Sequence, residues 1–587
     1  MTYLRTEFQK VYYNLDKILV LFFTSFVFME IAWIPLNSWL AEKLLALTGH
    51  AYLSPTNILE VFSENWLVTV GFFLLFIANV LVAYLEMALL FIGINQLMDP
   101  KLQDLKDYLS DVKTGFLETA REIRLSKIIF VLFFSVVLFP HMRKVFNIYY
   151  FNKIVLPQFI VDYVINQTNL LGIVILLALV LLLFWASTRL MYALPQIYLE
   201  HKTVKESIAY SLAKTDGQKQ KLAIWGLIRV SLTAFLVFLA ISGCLIGWQA
   251  VLDFLPDKIS GLLAVFNFAL IQLAYYGAIA VFLIKFIGLL TEQTLPTYRR
   301  KRLRHRFQFS IILLSMLYFT GLGVLYLYAP FDTVPVTISH RGVDNKNGVQ
   351  NTLPSLEKTA ALKPDYIEMD IQETKDKQFV VMHDNDIEAL TGFPGGTHDY
   401  TLSELTQMTA SENGQSAPVP SFDDYLDKAD ELGQKLIVEI KVNDEDSRDL
   451  TKRFLKAYGD RLIKKGHQIQ SLDYQTIIEV EQEQEDLITY FILPFNSIYP
   501  HTTADGYTME YTSLDDSFVT RSWFNHKTVY AWTPNDKESM MQMIMLQVDG
   551  IITDNLTELN STVEEIQEDL DYSQLLTLYV QQMIQRF

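Results

Sequence analysis

The 587-residue chain has a single cysteine, Cys244, and it lies inside an apolar run. It can form no intrachain disulfide and no cysteine metal site, and the redox compartment stays open. Basic residues are scarce in the second half. Residues 332–587 hold 20 Lys and Arg against 45 Asp and Glu, whereas residues 1–331 hold 28 against 20. So acidic a half argues against a nucleic-acid partner, because binding a phosphate polymer rests on clustered basic surface. A leader cleavage site is lacking too. The first apolar segment follows Lys10 and Lys17, contains Glu30 and has no small-residue cleavage motif, so it is expected to stay as a span.

Apolar side chains are abundant, at 51% with 13% aromatics, and the chain is too long for one ordinary domain. Seven apolar segments are expected near 18–36, 67–96, 127–140, 170–193, 222–246, 260–290 and 308–329. Most reach the ~20 residues that a helix needs to cross a ~30 Å hydrocarbon core. The third is short. With all seven crossing and the N-terminus inside, inner segments carry 20 Lys and Arg and outer loops 5. Positive residues prefer the cytoplasmic side, so this arrangement is favoured and puts the C-terminal half outside. The basic run Tyr298–Arg306 then serves as a topological stop. Of two amphipathic inner loops, 107–127 and 204–221, the second carries Ile208, Tyr210 and Leu212 among lysines and suits either an anionic lipid face or a solvated connector. Glu86, Arg189, Arg229 and Lys285, in or near spans, would need partners or a wet cavity.

Beyond Pro330 short β runs alternate with amphipathic helices. The pattern predicts strands at 336–340, 366–371, 379–383, 436–441, 467–471, 488–493, 507–511, 528–532 and 550–553. Only QETKDKQ separates the second from the third. A parallel crossover needs about a dozen residues, so those two form a hairpin and the remaining eight a (β/α)8 barrel. Helices are expected at Thr352–Leu362, Phe422–Leu432 and Leu514–Asn525, with covering helices in Val563–Phe587. Residues 385–420 break the rhythm and would overhang the mouth as a functional loop or small subdomain, with TLSEL as a capping pattern. The expected organisation is an α-helical membrane domain, 1–331, followed by an α/β barrel, 332–587, with the insertion 385–420.

Apolar runs that end in ionisable residues mark strands delivering side chains to a barrel's C-terminal mouth. Here the strand ends carry His340-Arg341-Gly342, Glu368-Met369-Asp370, His383-Asp384 and Glu439-Ile440-Lys441, in that order. A lone strand-end histidine is more often a hydrogen-bonded structural residue than a catalyst; the ordered set is what points to chemistry. A period of two puts Glu368 and Asp370 on one face, where they repel unless a cation or protons intervene. Two imidazoles beside a hard-cation site suit acid–base cleavage of a phosphate ester.

These motifs, with Asn351-Thr352, AWTPN at 531–535 and DGIITDN at 549–555, make residues 336 to about 560 resemble the glycerophosphodiester phosphodiesterase family. The apolar half looks like the multi-span domain that precedes this barrel in some Gram-positive bacteria. The resemblance implies that Glu368, Asp370 and Glu439 hold one Ca²⁺ or Mg²⁺, as all-oxygen ligation suits hard ions. It further implies His340 and His383 as the acid–base pair, Arg341 and Lys441 as phosphate ligands, and Asn351 and Trp532 as substrate contacts, Trp532 walling a glycerol pocket. Gln350 stands where many members have glutamate, and Ala389 replaces a common arginine, which leaves the core set intact and substrate choice open. The expectation is a multi-pass, membrane-anchored, metal-dependent phosphodiesterase with an extracytoplasmic barrel, releasing glycerol 3-phosphate from glycerophosphodiesters. Its rivals are a hydrolase of lysophospholipid or of the poly(glycerol phosphate) of lipoteichoic acid, and a barrel that only binds lipid or polymer.

Overall fold

A helix crosses hydrocarbon because it satisfies its own backbone groups. The computed structural model builds six helices long and apolar enough to do so among the residues that it describes: 2–54, 57–138, 157–158, 160–161, 164, 170–297, 305–328, 334–495, 498–567 and 570–585. They are Gln9–Ala46, Trp66–Leu97, Leu171–Leu190, Gln218–Leu252, Asp257–Thr291 and Phe307–Tyr328, one on each expected segment but the third. The first passes through a π-helical turn, Val27–Trp33, that contains Glu30. The third segment forms a shorter apolar helix, Leu125–Leu138, and the rest of that expected crossing lies outside the described residues. Most of the basic run 298–306 lies outside them as well.

Two of the charged groups among these helices are shown with partners in the protein. Glu86 accepts from the Ser25 hydroxyl at 2.9 Å, and Arg189 donates to the Thr215 carbonyl. In the amphipathic helix Val204–Lys214, started by a Thr203–Glu206 capping box, Ile208 turns toward the helix core while Tyr210 and Leu212 stay exposed.

The second half is a closed parallel barrel. Strands β1 (Val336–Ser339), β2 (Tyr366–Glu373) and β3 (Phe379–Val381) come first. The hairpin β4 (Thr409–Glu412) and β5 (Gln415–Pro418) follows, and then β6 (Leu436–Ile440), β7 (Gln468–Ser471), β8 (Thr489–Leu493), β9 (Gly506–Glu510), β10 (Thr528–Trp532) and β11 (Gly550–Thr553). The parallel order is β1-β11-β10-β9-β8-β7-β6-β2, and pairing of β1 with β2 closes the ring. As the short connection dictates, β3 returns antiparallel to β2.

Alternation then divides the side chains. Ile367, Met369 and Ile371 of β2 pack outward against the covering helices, with Phe422, Tyr425 and Leu426. Tyr366 turns inward to the barrel floor with Ile338, Ile437, Tyr490, Tyr530 and Ile552. Continuing the inward row upward from Tyr366 brings Glu368 and then Asp370 toward the mouth.

The barrel is docked on the helices at several places. Arg521 Nη1 meets Glu42 Oε1 at 2.5 Å, the His501 N–H donates to the Ala51 carbonyl at 2.7 Å, and Ile498 packs among Ala41, Leu45, Val61 and Leu75. At another edge the C-terminal helix Tyr572–Gln585 buries Leu575, Leu576, Val580 and Met583 against Phe238, Ala264, Phe268 and Ile271, together with Met541 and Met545 of the barrel. The Ser573 N–H donates to Asp253 at 2.9 Å. A partly exposed ion pair such as Glu42–Arg521 contributes about 1 kcal/mol at most. Arg521→Glu should therefore lower the melting temperature in detergent by a few degrees, and adding Glu42→Arg should restore it. A double variant melting no higher than the single one would show that the pair does not hold the interface.

Candidate active site

The first histidine is placed by a turn that needs glycine. Strand β1 ends in the one-turn segment His340–Gly342, where Arg341 has φ +52° and Gly342 φ +65°. A Cβ on Gly342 would sit 2.7 Å from the Tyr425 hydroxyl, so no larger residue fits. The turn aims the Arg341 N–H at Glu368 Oε2, 2.9 Å away, and lets the Arg341 carbonyl accept from the Asn351 N–H at 2.8 Å.

Each histidine is braced by a carboxylate on Nδ1. His340 Nδ1 lies 2.7 Å from Asp554 Oδ1, and His383 Nδ1 lies 2.6 Å from Asp384 Oδ1. A carboxylate there fixes the proton on Nδ1 and leaves Nε2 to take up or give a proton. Asp554 is itself oriented by Asn535, whose Nδ2 donates to Oδ2 at 2.7 Å and whose Oδ1 accepts from the Asp554 N–H at 2.9 Å. Burial raises the Asp554 carboxyl, but His340 and Asn535 outweigh it and hold the group below the usual range. The segment bearing His383 is pinned by Gln372, whose Nε2 faces the carbonyls of Met382, His383 and Asp384 at 3.2, 2.9 and 3.0 Å.

Between the histidine turns sit three buried carboxylates. Parallel register sets Asp370 beside Glu439, and oxygens of Glu368, Asp370 and Glu439 lie within 4.8 Å of one another. Burial, then Asp370 and Glu439, push the Glu368 carboxyl well above its ordinary range. Asp370 is also buried, yet Lys441, His383, Arg341 and Asn351 hold it below its range. Lys441 Nζ lies 3.1 Å from Glu439 and 3.5 Å from Asp370, and Arg341 Nε 3.8 Å from Asp370 Oδ2. Asn351 Nδ2 donates to Asp370 Oδ2 at 2.9 Å, and Gln470 Nε2 to Glu368 Oε1 at 3.2 Å. Asp370 Oδ1 is buried with no hydrogen-bond partner. Three oxygen donors, one of them met only by Lys441 Nζ at 3.5 Å, and mutual repulsion fit a hard divalent cation. Two other acidic groupings fit one less well. His50, Glu60 and Glu64 are largely exposed, and in Glu373–His398–Asp446 the glutamate is already paired with Arg453.

The structure thus brings together eight of the nine sequence-predicted residues around β1, β2, β3 and β6. Trp532 ends β10, across the mouth in the ring order, with its indole N–H donating to the Thr508 carbonyl at 3.2 Å. Four further polar residues were not singled out from sequence. Asp554, one residue past β11, carries the same strand-end signal that marks His340. Gln372, Gln470 and Glu412, the last of which accepts from Gln350, carry no signal of their own.

Both halves of the chain match known proteins. Residues 4–322 match the family model described as the membrane domain of glycerophosphoryl diester phosphodiesterase, and residues 340–558 match that of the glycerophosphoryl diester phosphodiesterase family. A glycerophosphodiester phosphodiesterase of Caldanaerobacter subterraneus subsp. tengcongensis is 26% identical over 229 residues, 38% of this chain and 94% of that one. A lysophospholipase D of Mus musculus is 24% identical over 267 residues, 38% of this chain and 84% of that one. A crystal structure of a glycerophosphodiester phosphodiesterase from Parabacteroides distasonis aligns with 25% identity and a TM-score of 0.36, over 40% of this chain and 98% of that one.

If Asp554 orients His340, Asp554→Asn should lower kcat by roughly tenfold to a hundredfold, less than loss of the histidine itself, with folding retained. Unchanged kcat on a diester with a poor leaving alcohol would remove Asp554 from that role.

Proposed function

The chain belongs to the glycerophosphoryl diester phosphodiesterase family, as a multi-pass membrane member, and on that footing we propose how its barrel works. Glycerophosphodiester cleavage is assigned to the mouth holding His340 and His383, with Glu368, Asp370 and Glu439 as ligands of one Ca²⁺ or Mg²⁺. The observation that carries this reading is the three-carboxylate cluster flanked by two Nδ1-braced histidines. A bound divalent cation would supply neutralisation of the non-bridging phosphate oxygens.

Arg341 and Lys441 hold the phosphate, and their positive charge favours the charge that builds in the transition state. One histidine takes the proton of the nucleophile, water or the neighbouring glycerol hydroxyl, whose oxygen attacks phosphorus. As the P–O bond to the leaving alcohol breaks, the other histidine gives its proton to that oxygen. Attack by water gives glycerol 3-phosphate directly, and attack by the hydroxyl gives a cyclic ester that water then opens. Asn351 holds Asp370 in place, and Trp532 walls the glycerol side.

A second reading concerns the substrate. The lysophospholipase D relative and the docking of the barrel on apolar helices favour a diester presented at a membrane, a lysophospholipid or poly(glycerol phosphate). Sharing a surface raises effective concentration. The lysine and arginine bias supports a barrel outside the cell, where such head groups would be within reach. A barrel that only binds is disfavoured by the complete His, Glu, Asp and Lys set.

The deciding assay is release of glycerol 3-phosphate from a panel of soluble and membrane-borne diesters with Ca²⁺, Mg²⁺ or chelator. Glu368→Gln keeps shape and removes charge, so metal affinity and turnover should both collapse, whereas turnover persisting in excess EDTA would exclude a metal. His340→Ala and His383→Ala should each lower kcat roughly 10²–10⁴-fold while metal binding survives. For topology, protease added to wall-stripped cells should cut within 385–420 or near 332–336; full protection until the membrane is opened would put the barrel in the cytoplasm.

A further inference from the structure

We propose that Glu412, on the hairpin of the 385–420 insertion, is a positioning residue for Arg341, acting through Gln350. The inference rests on the reading of Arg341 as a phosphate ligand. Three hydrogen bonds form the relay. Glu412 Oε2 accepts the Gln350 backbone N–H at 3.1 Å, and Glu412 Oε1 accepts Gln350 Nε2 at 3.0 Å. Gln350 Oε1 in turn accepts from Arg341 Nη1 at 2.7 Å.

The chemistry of the amide makes Glu412 necessary. A glutamine side chain has a donor end and an acceptor end of nearly equal size, while a guanidinium has donors only. Gln350 can serve Arg341 only with its oxygen toward the guanidinium. A carboxylate has no hydrogen to offer, so Glu412 accepts the NH₂ and fixes that orientation. Without it only the hydrogen bond from Arg341 Nη1 favours that orientation, and the amide holds it less firmly. With Nη1 so held, the Arg341 Nε, buried and without a hydrogen-bond partner, remains for a phosphate oxygen beside Asp370.

The hairpin is anchored where the relay needs it. Ala410 and Ala417 pack with Val349, Val380 and Met382, the apolar residues beneath. At its turn Asn413 Nδ2 reaches the Gly348 carbonyl at 3.4 Å, and Lys358 ties Gln415 Oε1 at 2.8 Å to the Asn347 carbonyl at 2.6 Å. The insertion therefore grips the loop that contains Gln350 and sets a charged group of the site from outside the barrel. A glutamate at position 350 would bring two carboxylates to hydrogen-bond distance with no proton between them, so the neutral amide and Glu412 are a matched pair.

The test is a double-mutant cycle on the full-length, detergent-purified protein with glycerophosphocholine as substrate. Glu412→Ala should lower kcat/KM about tenfold, because the grip of Arg341 on the phosphate is weakened. In the Arg341→Ala background the same change should cost less than about twofold, since the relay has lost its end point. Equal losses in both backgrounds would show Glu412 to be structural only, and wild-type kinetics in Glu412→Ala would remove it altogether. Gln350→Glu alone should be impaired, and adding Glu412→Gln, which exchanges acceptor and donor ends without changing size, should restore it. Failure of that rescue overturns the relay even if the alanine variant does not fold. Ser411→Ala, in the same hairpin but outside the relay, should leave kcat/KM unchanged. If Arg341→Ala itself has normal kcat/KM, the phosphate-ligand reading fails, an outcome distinct from failure of the relay.

Discussion

Three carboxylates share a buried space at the barrel mouth, and that repulsion is the constraint on which the rest depends. Parallel register forces it, because Asp370 and Glu439 are neighbours across the β2–β6 pair and Glu368 stands two residues below on the same face. A like-charge cluster of this kind persists only where positive charge or protons offset it. Lys441 and Arg341 stand against Asp370, the Arg341 N–H and Gln470 satisfy oxygens of Glu368, and Asn351 caps Asp370 with two hydrogen bonds. These groups crowd one side of the ring. The geometry leaves one oxygen of Asp370 without a hydrogen bond, faced only by the Lys441 ammonium at 3.5 Å.

A second principle governs the histidines. Neither ring stands unbraced. Each has an aspartate on Nδ1, one supplied by the next residue in sequence and one by a strand more than two hundred residues away. Local and distant routes produce the same local chemistry, a ring whose orientation is fixed and whose Nε2 faces outward. The distant route matters for folding, because His340 is oriented only once β11 has closed against β1.

Much of this was legible in the sequence, and the reasons differ from element to element. The strands were read correctly because each is a short apolar run between polar loops. The β2–β3 hairpin followed from connection length alone. The helix Phe422–Leu432 coincides with its predicted bounds because Ser421 caps it and Gly433 ends it in a left-handed turn. The β4–β5 hairpin was missed. Its strands, TASE and QSAP, bury little beyond Ala410 and Ala417, too few apolar residues to show a period of two. Its turn did leave a mark, Asn413-Gly414, both with positive φ as a tight hairpin turn demands. Gln372 and Gln470 were invisible for another reason. A neutral amide inside a barrel gains its meaning from the charges that it faces, and those come from other strands.

The several contacts that fasten the barrel to the helices also set a geometry of encounter. A domain on a single flexible tether sweeps a volume, and its active site can meet substrate at any height or angle. Here the Glu42–Arg521 pair, the Ala51–His501 hydrogen bond and the buried C-terminal helix grip separate edges, so rotation about any one is opposed by the others. The mouth keeps one altitude and one heading relative to the apolar helices. For a substrate moored in the same bilayer the search becomes two-dimensional, governed by lateral diffusion instead of by swinging of the enzyme. On a long repeating polymer such a stationary blade would cut at a set distance from the surface, and the length of the stub left behind would measure that altitude.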